Sequence, residues 1–305
     1  MYKNMQDIVE AAKGLPHRQR LVVAAAEDQD VLEAVRDAVD WGIVSAILVG
    51  DADKIAAIAS RVGLSLDKCT VIPEANPILA AGKAVGIVAS GQGDMVMKGK
   101  IGTADILRAV LDKDKGLRTG RLLSHVTALD IQGIGRLLFM TDGAMNIAPD
   151  LSQKAQIVQN AVDVVRALGF EQPKVAALAA VELVNPDMPA AVEAALLAKM
   201  ADRGQIKGAI VDGPLALDNA ISLHSAQVKG IDSPVAGHAD ILMVPDIEAG
   251  NVLYKSIVYF GREVRVAGVI AGAKAPVVLT SRSDSHETKL DSIAFSAVYA
   301  AGLKS

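Results

Sequence analysis

The chain has 305 residues, 51% of them hydrophobic and 3% aromatic, a formal net charge of -4 and a single cysteine, Cys69. The absence of a Lys/Arg block and the scarcity of aromatic platforms argue against nucleic-acid binding, and one cysteine builds neither an internal disulfide nor a cysteine metal cage. The N-terminus lacks a charged start followed by an apolar stretch, and apolar runs such as residues 21–26 are far too short for a bilayer, so a cytoplasmic protein is expected.

Short apolar runs then alternate with helical spacing. Residues 20–26 read as a buried strand, and residues 28–41 follow as a helix with apolar positions Val31, Leu32, Val35 and Val39. Strands over 45–49, 70–72 and 93–97 alternate with helices over 52–62 and 76–90. Strand then helix, repeated, is the pattern of βαβ units and a parallel sheet. The middle changes character. Runs over 122–130 and 135–140, joined by a short Gly-containing turn, predict an antiparallel hairpin. A helix over 151–168 is capped by Asp150 and stopped by Gly169, and another begins at Pro189. Further strands fall at 174–178, 208–211, 241–244, 264–269 and 277–280, with helices over 251–260 and 287–301. No Pro/Ser-rich linker breaks the chain.

Several polar turns follow these strands. After the strand at 93–97 come Lys98, Gly99, Lys100, Gly102 and Thr103 at a helix start, where exposed N–H groups attract anions. The spacing fits neither a P-loop nor a dinucleotide fingerprint. Arg108 lies about one turn into that helix and can face back toward the same place. A solvated surface arginine is the plainer account of it. Asp142, Asp218 and Asp246 each follow a strand, with Asn251 close behind the last. Ligand sites gather outside strand ends, but ordinary turn chemistry explains each of these acids taken alone. No His-rich or Asp-rich spacing supports a metal.

The sharpest segment is Ser281, Arg282, Ser283, Asp284 and Ser285 before a helix starting at Glu287. Asp284 and Glu287 have capping-box spacing, which accounts for the acids. It does not account for Arg282, whose charge opposes the helix dipole at that end and so calls for an anion. Cys69 reads as a small hydrophobe, and no Ser-His-Asp order is defensible.

Taken together, the segments 212–218, 233–237, 245–255 and 275–282 resemble the phosphate acetyltransferase and phosphate butyryltransferase family over nearly the whole chain. The turn at 98–105 and the stretch Leu279 to Ser285 look most like the butyryltransferase branch. The resemblance implies a two-domain α/β/α protein with a mixed sheet, similar to isopropylmalate dehydrogenases. It implies an active site in the interdomain cleft and at least a homodimer. Domain I would comprise residues 1–118 plus 270–305, and domain II, the dimerisation domain, residues 119–269. The implied reaction is acyl-CoA plus phosphate giving acyl phosphate plus CoA. Coenzyme A is then a substrate, and no cofactor, metal or nucleic acid is called for. Ser281 would bond the reacting carbonyl, Arg282 would hold the phosphoryl group, and Arg108, Lys98, Lys100 and Thr103 would help bind phosphate. Asp142, Asp218, Asp246 and Asn251 join the binding set as motif turns. Thr288 stands where the acetyl branch has its base, so the adjacent Glu287 is taken instead. An acetyl-specific enzyme, a metal- and NAD(P)-dependent decarboxylating dehydrogenase of the same fold, and a non-catalytic CoA-binding protein are the alternatives.

Overall fold

Met5, Ile8, Val9 and Ala12 share one face at helical spacing, and all four are buried in α1 (Met5–Lys13). This helix begins the first of two compact units in the computed structural model, which describes residues 2–281 and 284–304. One unit is built from residues 5–121 and 266 onward, the other from residues 122–265 with the chain up to Asn4.

The first unit continues through β1 (Gln19–Ala24), α2 (Gln29–Asp40), β2 (Val44–Gly50), α3 (Ala52–Val62), β3 (Cys69–Pro73), α4 (Pro77–Ala89), β4 (Met95–Lys98) and α5 (Thr103–Val110). The expected alternation is present, with ends displaced by a few residues. Asp28, Asp51 and Asn76 cap α2, α3 and α4, each accepting a backbone N–H of the first turn. The strands pair in parallel, β1 between β2 and β4, with β3 beyond β2.

The second unit holds β5 (Ser124–Ile131) and β6 (Leu138–Thr141), which pair antiparallel as the hairpin pattern requires. Then come α6 (Leu151–Ala167), β7 (Lys174–Leu178), α7 (Pro189–Asp202), β8 (Ile210–Leu215), α8 (Leu217–Ile221), α9 (Leu223–Val228), β9 (Ile241–Met243) and α10 (Ile247–Phe260). Its strands run in the order β5-β6-β9-β7-β8, parallel from β6 onward. Asp150 and Gln153 form a reciprocal capping box on α6. Phe139 is fully buried and meets Phe170 edge-on at 5.7 Å.

α10 starts four residues before the helix expected from sequence. Gly250 obscured its first turn, and the structure shows why glycine stands there. A Cβ on Gly250 would lie 2.7 Å from the Cα of Gly143. Close backbone packing selects the residue, at the expense of helix propensity.

The chain returns to the first unit through β10 (Val264–Ala271), β11 (Val277–Val278) and α11 (His286–Gly302). β11 pairs antiparallel with β10 and parallel with β4, so the strands there run β3-β2-β1-β4-β11-β10. The strand expected over 277–280 is thus confined to two residues. α11 is buried at every position from Lys289 to Ala300, because it packs on α1, α2 and the strands β1, β4 and β11. Its polar residues Lys289, Asp291, Ser292 and Ser296 are buried with the apolar ones.

Candidate active site

In the first unit the chain steps from β1 outward to β2 and β3, then returns to the other side of β1 as β4. The loops leaving β1 and β4 therefore depart in opposite directions. The crevice between such loops, at the carboxyl ends of the strands, is where α/β sheets bind ligands. β11 runs parallel to β4, with Val278 opposite Met97, so its carboxyl end reaches the same edge.

A cavity of about 200 Å³ lies there. Asp28 and Val31 line it from the start of α2, Lys98, Gly99 and Lys100 from the end of β4, Thr280 and Ser281 from beyond β11, and Lys289 from α11. Its lining holds three ammonium groups and one carboxylate. Lys98 and Lys289 are buried, at 6% and 3% exposure, whereas Lys100 is exposed. A charge buried as deeply as that of Lys289 is rarely left unbalanced. The excess of positive charge in a small polar cavity fits an anion.

Backbone contacts hold the lysines in register. Gly99 N donates to Ala24 O at 2.9 Å, and Lys100 N to Ala25 O at 2.7 Å. Ala25 itself adopts φ 52, a left-handed conformation costly for a residue with a Cβ. A Cβ on Gly99 would come within 2.2 Å of Ala25 O, so only glycine lets β4 pass this close to the end of β1.

The end of β11 is organised differently from the capping box expected of Asp284 and Glu287. Ser285 caps α11 instead, its Oγ accepting from Thr288 N at 3.2 Å. Asp284 turns back, and its carboxylate accepts from Ser281 N at 2.7 Å. Of two acids near a helix start, the one nearer the strand has found an N–H in its own turn. The Nζ of Lys289 donates to the carbonyl of Asp284.

Of the residues singled out from sequence, the cavity brings together Lys98, Lys100 and Ser281. Arg282 lies outside the described residues. Thr103 is exposed at the first position of α5, whose cap is Gly102. Arg108 is exposed and pairs with Asp105 at 2.7 Å along its own helix. Glu287 is exposed in the first turn of α11. None of these three lines the cavity. Asp28 and Lys289 were not foreseen. No signal in the sequence marks Lys289, a lysine on a helix that also carries Asp291 two positions on.

In the second unit Asp142, Asp246 and Asn251 are each held by hydrogen bonds to nearby groups. Asp142 is buried and accepts from Ala144 N and Met145 N, each at 3.0 Å, and from Asn146 Nδ2 at 2.6 Å. Asp246 caps α10 through Ala249 N at 2.8 Å. Asn251 Nδ2 donates to Gly143 O at 3.4 Å. Asp218 stands apart, exposed on α8, with the Nζ of Lys229 at 3.9 Å. Among the described residues no group of three or more His, Cys, Asp or Glu is arranged to hold a metal ion. No described helix is long and apolar enough to cross a membrane.

Comparison with known proteins decides the family. The profile of the phosphate acetyl/butaryl transferases matches residues 4–80 and 74–297. The chain belongs to the phosphate acetyl/butaryl transferase family. It is 50% identical to the phosphate butyryltransferase of Clostridium acetobutylicum over 300 residues, covering 98% of this chain and 99% of that one. It is 46% identical to the phosphate acetyltransferase of Thermotoga maritima, covering 97% and 99%. A branched-chain phosphotransacylase from Enterococcus faecalis V583 has the same fold, with a TM-score of 0.82 at 35% identity over 92% of this chain and 99% of that one. The mixed α/β architecture is thus that of the phosphotransacylases, and this member of the phosphate acetyl/butaryl transferase family is an acyltransferase.

Proposed function

We propose that the chain catalyses reversible transfer of a short acyl group, butyryl in preference to acetyl, between coenzyme A and inorganic phosphate. The observation that carries the site is the lysine-lined cavity at the carboxyl ends of β1, β4 and β11, with Ser281 on its wall. Such a cavity suits the phosphoryl end of an acyl phosphate. Lys98 and Lys100 supply charge-assisted donors, and Thr103, Arg108 and Arg282 complete the phosphate set in this reading. The binding role proposed for Asp142, Asp218, Asp246 and Asn251 rests on resemblance, since hydrogen bonds and ion pairs within their own unit already occupy them.

The reaction follows from two anionic reactants held together. The CoA thiol gives its proton to a carboxylate, Glu287 in this proposal. The thiolate forms a C–S bond at the acyl carbonyl, and the C–O bond to the phosphoryl oxygen breaks, so phosphate leaves with the electron pair. Ser281 donates to the carbonyl oxygen as it becomes an oxyanion. Phosphate attacking the thioester reverses each step. Positioning supplies much of the rate, and no covalent enzyme intermediate is required.

The preference for butyryl rests on the turns at 98–105 and 279–285 and on the higher identity to a butyryltransferase, 50% against 46% for an acetyltransferase. One methylene is worth only about 1–3 kcal/mol in a pocket, so an acyl-CoA series from two to five carbons is the direct measure. The test of the site is phosphate-dependent CoA release from butyryl-CoA. Loss of one oxyanion donor costs on the order of 10²–10³ in kcat, so Ser281→Ala is expected to lose at least 100-fold. Near-normal turnover sinks the assignment.

The enzyme is proposed to be cytoplasmic and a homodimer or larger, assembled through the unit of residues 122–265. Supporting the assembly, the buried residue of α10 is Gly250, while Val252, Tyr259 and Phe260 are 66%, 75% and 86% exposed. An amphipathic helix with so much apolar surface in solvent is an interface by ordinary expectation.

A further inference from the structure

Lys289 is unmarked in the sequence, a lysine in the first turns of α11. Its side chain is 4% exposed, yet it borders the cavity. An ammonium carries three donors. Among the described residues only the carbonyl of Asp284 lies within hydrogen-bond distance of it. The Asp30 carboxylate is 3.8 Å away and half exposed. Lys289 is the fourth residue of α11, so its charge also faces the positive end of the helix dipole. Partial pairing of a buried cation in an opposing field is unfavourable. An anion in the cavity relieves both penalties at once.

The same lysine reaches the reacting turn by a second route. Its Nζ holds the Asp284 carbonyl, and the Asp284 carboxylate holds the backbone N–H of Ser281. Two short links therefore join the buried cation to the serine on the cavity wall. Lysine suits this place because the ammonium is a compact point charge on a flexible stem, able to serve a carbonyl and an anion together.

Resting on the function proposed above, we propose that Lys289 is a phosphate-binding residue of the cavity and, through Asp284, the positioning residue for Ser281. Its anionic partner is a tetrahedral oxyanion: free phosphate in one direction, the phosphoryl group of the acyl phosphate in the other. A thioester has no charge at its reacting end, so the effect of Lys289 on binding falls on phosphate and not on acyl-CoA, while its hold on Ser281 through Asp284 is read as a fall in kcat at saturating phosphate that Lys289→Arg partly restores.

The experiment varies phosphate and butyryl-CoA separately in the full-length Lys289→Met and Lys289→Arg proteins. Calorimetric titration of inorganic phosphate without CoA accompanies it. Loss of one charge-assisted bond is expected to raise the KM and the Kd for phosphate at least about tenfold. The KM for butyryl-CoA stays within about twofold, and Lys289→Arg recovers most of the phosphate affinity. A phosphate KM within about twofold of wild type overturns the proposal, and so does a parallel rise in both KM values. Should Lys289→Met fail to fold, Lys289→Gln carries the same expectation. If the wild-type protein releases no CoA, the proposed reaction fails. The calorimetry still judges Lys289, because it compares phosphate binding with and without the ammonium.

Discussion

Replacing Gly99 by alanine tests whether backbone contact between β1 and β4 builds the cavity. The added Cβ would stand 2.2 Å from Ala25 O, 2.8 Å from Ala24 O and 2.9 Å from the Ala25 carbonyl carbon. All three are backbone atoms in or beside the sheet, so no flexible side chain can yield. Gly99 does not occupy the left-handed region, so the effect is steric and not conformational. To reach ordinary contact the strands must part by about 1 Å, an overpacking cost of about 1–3 kcal/mol. The Lys100 N to Ala25 O bond, at 2.7 Å, is the first to lengthen. At about 2–4 °C per kcal/mol, Tm should fall by several degrees. Activity should fall further, by on the order of 100-fold, because a displacement of about 1 Å at reacting groups has that effect. Gly82→Ala is the control. It sits inside α4 with nothing within 4 Å of its added Cβ, and should stabilise by about 0.5–1 kcal/mol. Thermal melts and phosphate-dependent CoA release are the readouts. Wild-type Tm and turnover in Gly99→Ala would refute the argument that this contact shapes the cavity.

Two other outcomes are expected. Burial pushes the Asp94 carboxyl up, but hydrogen bonds from the Arg20 guanidinium and the Lys304 ammonium outweigh it and hold its pKa at about 2. A depressed carboxylate stabilises fully above its unfolded pKa of about 4 and loses that contribution as pH falls toward 2. Asp94→Asn should therefore cost about 2 kcal/mol in urea titrations at pH 7, with the deficit shrinking between pH 4 and pH 2; a deficit independent of pH contradicts the assignment. For the assembly, Val252→Asp combined with Phe260→Asp should convert the species seen by sedimentation velocity to monomer, and an unchanged sedimentation coefficient would remove α10 from the interface.

Much of the architecture was legible because it depends on local rules. The β1 to β4 alternation shows as apolar runs broken at helical spacing, and Asp28, Asp51, Asn76 and Asp150 are cap residues standing where caps belong. The β5–β6 hairpin was marked by its short glycine-containing turn. α1 carries an apolar face at helical spacing that is legible in the sequence, whereas the start of α10 is concealed by Gly250, whose reason is a neighbour more than a hundred residues away.

The site divides the same way. That Lys98, Lys100 and Ser281 belong to polar turns at strand ends could be read from residue order alone. That they share one cavity follows from β4 and β11 lying side by side in parallel, a pairing between segments far apart in the chain. Which acid caps α11 was settled by geometry: Ser285 takes the cap and Asp284 takes the N–H of Ser281. Lys289 shows the limit most clearly. In sequence it is a lysine on a helix, and such residues ordinarily face water. Only the packing of α11 among α1, α2 and the sheet puts its charge inside. Residue type and spacing determine where a chain turns and which faces are apolar, because those depend on neighbours a few residues away. Burial of a charge depends on what the whole fold lays over it, and that is decided only when distant segments pack.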